Sequence, residues 1–230
     1  MEQPFFLPLF TSRQFRYNRK PHNPGGLTIS KSSKITSLRI GGGTLSGRKL
    51  YPPPHDGTRP MTAMAKKSIF GMVAPWVSEG VVLDLYSGTG TLGLESISYG
   101  AKEVYFAERD RRVIERLEGN IELCHCEDQC TVWTGNIESR LPHWLDAMSS
   151  KADLVFLDPP FPDARRWNFD KITESIFLPL AKHLNDDGLI VLRTDDATDV
   201  PTQFGELVML REKQFGQMMI RLIGRESLRT

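Results

Sequence analysis

The run Val81-Val82-Leu83-Asp84-Leu85-Tyr86-Ser87-Gly88-Thr89-Gly90-Thr91-Leu92-Gly93 restricts the fold more than any other stretch of this chain. A short apolar strand pattern, Val81 to Leu85, ends in glycine-rich sequence, and a helical pattern from Leu92 to Tyr99 follows at once. The alternation then continues. Glu103 to Ala107 reads as a second strand, Arg111 to Leu123 as a helix, Gln129 to Trp133 as a weaker third strand, and Leu154 to Leu157 as a fully apolar fourth. A helix over Ile172 to Leu184, stopped near Asp187-Gly188, leads into a fifth strand from Leu189 to Arg193. Glu206 to Glu212 and Gln217 to Ile223 finish as an antiparallel pair. Strands alternating with helices predict the α/β class, with a doubly wound, mostly parallel sheet and an antiparallel pair at its edge.

Upstream the pattern is different. Residues 1–36 are rich in Pro, Gly, Ser, Asn and basic residues with no sustained period, and read as a basic, disordered extension. Residues 37–76 predict a small β-hairpin plus a helix. Leu38 to Gly41 and Arg48 to Tyr51 are the strands, Gly42 to Gly47 the turn, and Thr62 caps a helix through Ile69, Phe70 and Val73 that Pro75 ends. The remainder, 77–230, is the α/β domain. Charge follows the same division. The first 67 residues carry 12 Lys and Arg against two acids, and the other 163 carry 17 against 26. A basic first third on an acidic body predicts contact with a polyanion. No apolar run suggests a membrane span, and the apolar start, Met1 to Phe10, holds Pro4 and Pro8 and no basic n-region, so it is a poor secretory signal. Three cysteines make no disulfide framework, and a reducing, cytoplasmic setting is the simplest expectation.

Two constellations carry chemistry. Gly88, Gly90 and Gly93 match the fingerprint of Rossmann-like nucleotide sites, and Glu108 lies 20 residues after Gly88, where an acid reaches ribose hydroxyls. Asp84 narrows the ligand. At the end of its strand it would face the cofactor crevice, where it would repel a pyrophosphate and attract a cation. S-adenosyl-L-methionine, with an ammonium and a sulfonium, fits better than a dinucleotide. Glycines would let the backbone approach its methionine portion, and the side-chain carbonyl of Asn136 could accept from the adenine amine. Tyr86 and Ser87 belong to the same loop.

The second constellation is Asp158-Pro159-Pro160-Phe161, at the carboxyl end of the fourth strand. A planar exocyclic amine is a poor nucleophile, because its lone pair is delocalised into the ring. Acceptors on its two N–H groups pull the nitrogen toward tetrahedral geometry. The Asp158 carboxylate is one such acceptor and the Pro159 carbonyl a second, and consecutive prolines position both in advance. Phe161 offers a face for an extruded base.

With these residues in place the chain resembles the 16S rRNA guanine-N2 methyltransferase (RsmD) family. The resemblance runs from about Leu38 to Ile223. It rests on Arg39-Ile40-Gly41-Gly42 with Gly47-Arg48-Lys49-Leu50, Thr58-Arg59-Pro60, Phe70, Leu83 to Gly90 with Leu92-Gly93-Leu94-Glu95, Gly100-Ala101, Glu108, Asn120 and Asp158-Pro159-Pro160-Phe161. It implies a class I methyltransferase domain that acts on the N2 amine of one guanine in small-subunit rRNA, within an assembled or assembling particle. It also implies that Arg39, Arg48, Lys49 and Arg59 hold RNA. A monomer is expected. This chain departs from the family's pattern at Met61-Thr62-Ala63-Met64, where an Asp-Arg pair usually follows, and at Ser98-Tyr99-Gly100, where an Arg usually precedes the Gly.

Other readings stand beside this one: amine methylation of adenine N6 or of a protein glutamine, a non-catalytic RNA-binding assembly factor, and a dehydrogenase. The first group more often carries Asn where Asp158 stands, and Asp84 speaks against a dehydrogenase. Cys124, Cys126 and Cys130 do not have a structural zinc spacing, and no metal site is expected.

Overall fold

Side chains alternate across a strand, and in the first strand of the sheet that alternation separates two cores. The computed structural model describes residues 38–54 and 61–229; the basic extension and the Thr58-Arg59-Pro60 segment lie outside the described residues. Helix α1 (Ala63–Val77) precedes strand β1 (Val81–Leu85), α2 (Thr91–Ser98), β2 (Glu103–Glu108), α3 (Arg111–Cys124) and β3 (Cys130–Thr134). Then come α4 (Ile137–Asp146), β4 (Ala152–Leu157), the short α5 (Phe161–Ala164) and α6 (Phe169–Ile172), a π-helical turn (Thr173–Phe177) and α7 (Leu178–His183). The strands β5 (Leu184–Asp195), β6 (Gln203–Phe204), β7 (Leu207–Phe215) and β8 (Met218–Arg225) finish the sheet.

Among the described residues one sheet runs in the order β3-β2-β1-β4-β5-β8-β7-β6. The first five are parallel to their neighbours, and β8, β7 and β6 are antiparallel. The expected α/β class, the doubly wound sheet and the antiparallel C-terminal pair are all present. Val81, Leu83 and Leu85 pack with Trp144, Phe177 and Leu180 on one face. Val82 packs with Leu94, Leu117, Ile69 and Phe70 on the other, and Ile40 and Leu50 of the hairpin join that second core. The sheet order reverses between β1 and β4, and ligands bind at such a switch point, beyond the carboxyl ends of the strands.

Three elements differ from the sequence expectation. Helix α1 is capped by the Thr62 hydroxyl, which accepts from the Ala65 N–H at 3.2 Å, but it runs past Pro75 to Val77. Pro75 removes only one late hydrogen bond, and burial of Val77 holds the last turn in place. Helix α4 answers to no expected element, although Ile137, Leu141, Trp144 and Leu145 repeat at helical spacing and are buried. Pro142 interrupts that pattern as a breaker would; in the structure it lies on the exposed side of the helix. The long helix expected over Ile172 to Leu184 is α6, the π-helical turn and α7 in series, and β5 begins at Leu184 rather than after Gly188.

The hairpin meets α2 mainly through its own backbone, which bonds to the Ser98 hydroxyl, the Glu95 carboxylate and the Ser98 carbonyl. Arg39 and Lys49 form its bridge, and Thr44 N donates to Ser98 O at 2.8 Å. A Cβ on Gly43 would stand 1.9 Å from Ser98 O, and one on Gly42 would stand 1.9 Å from the Tyr99 hydroxyl. Beneath them Tyr99 stacks on Phe70 at 5.0 Å. The polar lock of this joint is buried. Lys66 Nζ pairs with Glu95 Oε2 at 2.8 Å and donates to Arg39 O at 2.8 Å, and Glu95 Oε1 accepts from Gly41 N at 2.9 Å. Both side chains are at most 5% exposed. Breaking a buried pair leaves an uncompensated charge, which costs about 3–5 kcal/mol. Glu95→Ala is expected to lose about that much stability in urea unfolding, and Glu95→Leu combined with Lys66→Met to recover most of it.

Candidate active site

The chain leaves β1 through a strained turn. Tyr86 takes φ 61, a left-handed conformation costly for a side chain of this size, and Ser87 N donates back to Ala107 O at 3.0 Å. These contacts turn the glycine loop over the ends of β1 and β2. A cavity of about 920 Å³ opens there. Asp84, Tyr86, Ser87, Gly88, Glu108 and Asn136 line it, and so do all four residues of Asp158-Pro159-Pro160-Phe161. The cofactor and amine constellations, separate in sequence, thus share one cavity.

The glycines divide the work. Gly88 lines the cavity, and a Cβ there would meet nothing within 4 Å. Gly90 and Gly93 serve packing instead. A Cβ on Gly90 would stand 2.4 Å from Leu117, and one on Gly93 would stand 2.2 Å from the Phe106 ring. Gly90, expected against a cofactor, is absent from the cavity wall and heads α2 in a left-handed conformation.

Asp84 is 1% exposed, and its Oδ2 accepts from the Gly93 N–H at 2.8 Å. It therefore also satisfies the start of α2, a capping role beyond its place on the cavity wall. Burial pushes its carboxyl well above the usual range, the Gly93 N–H draws it back, and the charges of Asp158 and Glu108 push it up further. Glu108 Oε2 accepts from Gly88 N at 3.1 Å, while Oε1 accepts from the N–H groups of Arg109 at 2.8 Å and Asp110 at 3.0 Å. Asn136 is the N-cap of α4, its Oδ1 accepting from Ser139 N at 3.4 Å. Burial raises the Tyr86 phenol, whose ring lies 6.3 Å from that of Trp167.

Asp158 N donates to Leu85 O at 3.1 Å, so β4 and β1 end side by side. Its carboxylate Oδ1 is paired with Arg193 Nε. Burial raises the Asp158 carboxyl and Arg193 opposes that shift. Sequence reasoning missed Arg193; its signal is a lone charge closing the apolar run from Leu189. The position of Asn120 is also informative. It is fully buried, accepts from Tyr51 N at 2.6 Å and donates to Thr89 O at 2.9 Å, bracketing the hairpin exit against the glycine loop. Of the expected RNA contacts, Arg39 Nη1 donates to Gly47 O at 2.8 Å and Arg48 Nη1 to Leu123 O at 2.6 Å. Lys49 is exposed beside them, away from the cavity wall, and Arg59 lies outside the described residues.

The residues fit S-adenosylmethionine. Three carboxylates, Asp84, Glu108 and Asp158, crowd one wall and raise the cost of ionising Asp84, which a cation relieves and a pyrophosphate aggravates. Gly88 would leave room for a close approach by the amino-acid portion, and Glu108, at the end of β2, would be placed to accept from a ribose.

Comparison with known proteins agrees with this geometry. A family model described as conserved hypothetical protein 95 matches residues 38–224. Ribosomal RNA small subunit methyltransferase D of Escherichia coli is 32% identical over 83% of this chain and 91% of its own length. The Bacillus subtilis protein YlbH is 30% identical over 78% of this chain and 94% of its own. The solved structure of the Escherichia coli protein yhhF superposes with a TM-score of 0.67 at 30% identity, covering 83% of this chain and 99% of that one.

Because folding raises the Asp84 carboxyl, the stability it contributes is full below its unfolded value of about 3.9 and is lost as pH rises through the folded value. Asparagine keeps the acceptor for Gly93 without the charge. Asp84→Asn is expected to melt at or above the wild-type temperature at pH 7 to 8. Calorimetry should show its affinity for S-adenosylmethionine lowered about ten- to a hundredfold, the worth of one charge-assisted hydrogen bond.

Proposed function

This chain belongs to the family described as conserved hypothetical protein 95, that of the RsmD rRNA methyltransferases, and we propose that it methylates the exocyclic N2 amine of a guanine in small-subunit rRNA. The observation that carries this reading is the single cavity in which the acidic cofactor wall meets Asp158-Pro159-Pro160-Phe161. When bound, S-adenosylmethionine supplies an electrophilic methyl group on a sulfonium sulfur. The work of the chain's own residues is to make the amine nucleophilic and to aim it. Asp158 accepts one amine N–H and the Pro159 carbonyl accepts the other, which localises the nitrogen lone pair. The backbone bond from Asp158 N to Leu85 O and the two prolines hold the backbone of this loop, and with it the Pro159 carbonyl, in place before substrate arrives. Phe161 takes the face of the extruded base. Asp84 and Gly88 receive the amino-acid portion of the methyl donor, Tyr86, Ser87 and Glu108 its ribose side, and Asn136 its adenine edge.

Arg39, Arg48 and Lys49 sit together on the hairpin, in the basic third of the chain, where phosphates would meet them. Ribosomal RNA as substrate would place this work in the cytoplasm, with one chain as the active unit. No helix among the described residues is long and apolar enough to cross a membrane.

Methyl transfer from labelled S-adenosylmethionine to small ribosomal subunits lacking the modification, followed by nucleoside analysis, tests the reading. Label is expected in N2-methylguanosine, and label in N6-methyladenosine or in protein would overturn it. Asp158→Ala is expected to lower kcat by about 10²–10³-fold while leaving cofactor affinity within a few-fold of wild type. Reversing the charges of Arg39, Arg48 and Lys49 together should weaken RNA binding and flatten its salt dependence, by a little under one in slope for each phosphate no longer neutralised.

A further inference from the structure

We propose that Arg193 is a positioning residue for Asp158, fixing one carboxylate oxygen so that the other accepts from the substrate amine, and covering one face of Phe161. This inference rests on the reading of Asp158 as the amine acceptor.

Arg193 lies near the end of β5, the strand next to β4. Its Nε pairs with Asp158 Oδ1, and both side chains are largely buried, at 18% and 16% exposed. The guanidinium stands 5.1 Å from the centre of the Phe161 ring. One arginine thus holds both side chains of the Asp-Pro-Pro-Phe loop that reach the substrate. Two residues further along the same strand, Asp195 accepts from Arg165 Nε at 2.6 Å and from the Thr198 hydroxyl at 2.7 Å. The β5 end therefore grips the segment from Asp158 to Arg165 at both ends. The two prolines stiffen the backbone between them, but they do not fix the Asp158 side chain, and Arg193 does.

Protonation matters as much as orientation. An ionised carboxylate only accepts hydrogen bonds, whereas a protonated one would offer an O–H and lose an acceptor. Facing Asp158 are Arg193 from β5 and Asp84 from β1; Lys66, Glu108, Arg109, Asp110, Glu138, Asp163, Arg166 and Lys171 line the same cavity, and of the cations among the described residues only Arg193 pairs with the Asp158 carboxylate. Lys66 is already paired with Glu95. Arg193 is thus the cation that opposes the effect of burial on Asp158 and favours its ionised, acceptor-only form.

The test uses Arg193→Gln and Arg193→Lys in the full chain, with Asp158 followed by carboxyl carbon NMR and assigned by the signal that Asp158→Asn removes. In Arg193→Gln the Asp158 midpoint is expected to rise by at least about one pH unit, with cofactor affinity within about threefold of wild type. The acid limb of its kcat profile should move by the same amount, so that raising the pH recovers part of the lost turnover. Arg193→Lys should keep the wild-type midpoint, because the charge remains, with kcat reduced because the planar contact to Phe161 is gone. An unmoved midpoint in Arg193→Gln, or a kcat that falls with no change in its pH profile, would overturn the proposal and leave Arg193 a structural ion pair. Should Arg193→Gln fail to bind cofactor, Arg193→Lys decides: wild-type turnover there overturns the positioning role. Absence of any transfer by the wild type would instead defeat the functional reading, and the carboxyl titration would still report whether Arg193 governs Asp158.

Discussion

Two parallel strands that end side by side at the point where sheet order reverses bring two carboxylates to one desolvated wall. Asp84 ends β1, Asp158 follows β4, and the bond from Asp158 N to Leu85 O keeps their backbones in step. Burial disfavours ionisation of each, and the charge of Asp158 disfavours that of Asp84 further. Much of the local structure counters this. The start of α2 turns back so that Gly93 N–H meets Asp84, and β5 contributes Arg193 to Asp158. A bound cation beside Asp84 would ease the same repulsion. Fold and ligand chemistry are joined at this edge, since sheet topology sets where the charges stand and their repulsion sets what will bind.

The α/β alternation was readable because buried parallel strands are apolar throughout and glycines mark where β1 turns into α2. Asp84, Glu108 and the Asp-Pro-Pro-Phe loop were readable because position at a strand's end is itself a signal. What sequence could not apportion is which glycine lines the cavity and which serves packing. Gly88, Gly90 and Gly93 look alike on paper, yet Phe106 and Leu117, distant in sequence, determine that the last two must lack a side chain. Asp84 shows the same limit, because its capping bond exists only once α2 has folded back onto β1. Arg193 was hidden for a related reason: its partner lies 35 residues away on a neighbouring strand. Helix α4 was missed for a local reason, a proline that reads as a breaker but sits on the exposed side of the helix.

The hairpin changes how its own signature should be understood. Gly42 and Gly43 lie flat on the last turn of α2, and Gly41 meets the Lys66–Glu95 pair. The hairpin's half of the joint is mostly main-chain atoms and the space that missing side chains leave, and the side chains of Ser98, Glu95 and Lys66 meet it from the helices. Arg39 and Lys49, by contrast, project from the outward side of the same short bridge. The glycines that seat the hairpin and the side chains it turns outward therefore occupy separate positions of one motif. A lineage could exchange the outward charges while the glycines kept the hairpin seated, so that evolvability here is a property of the joint.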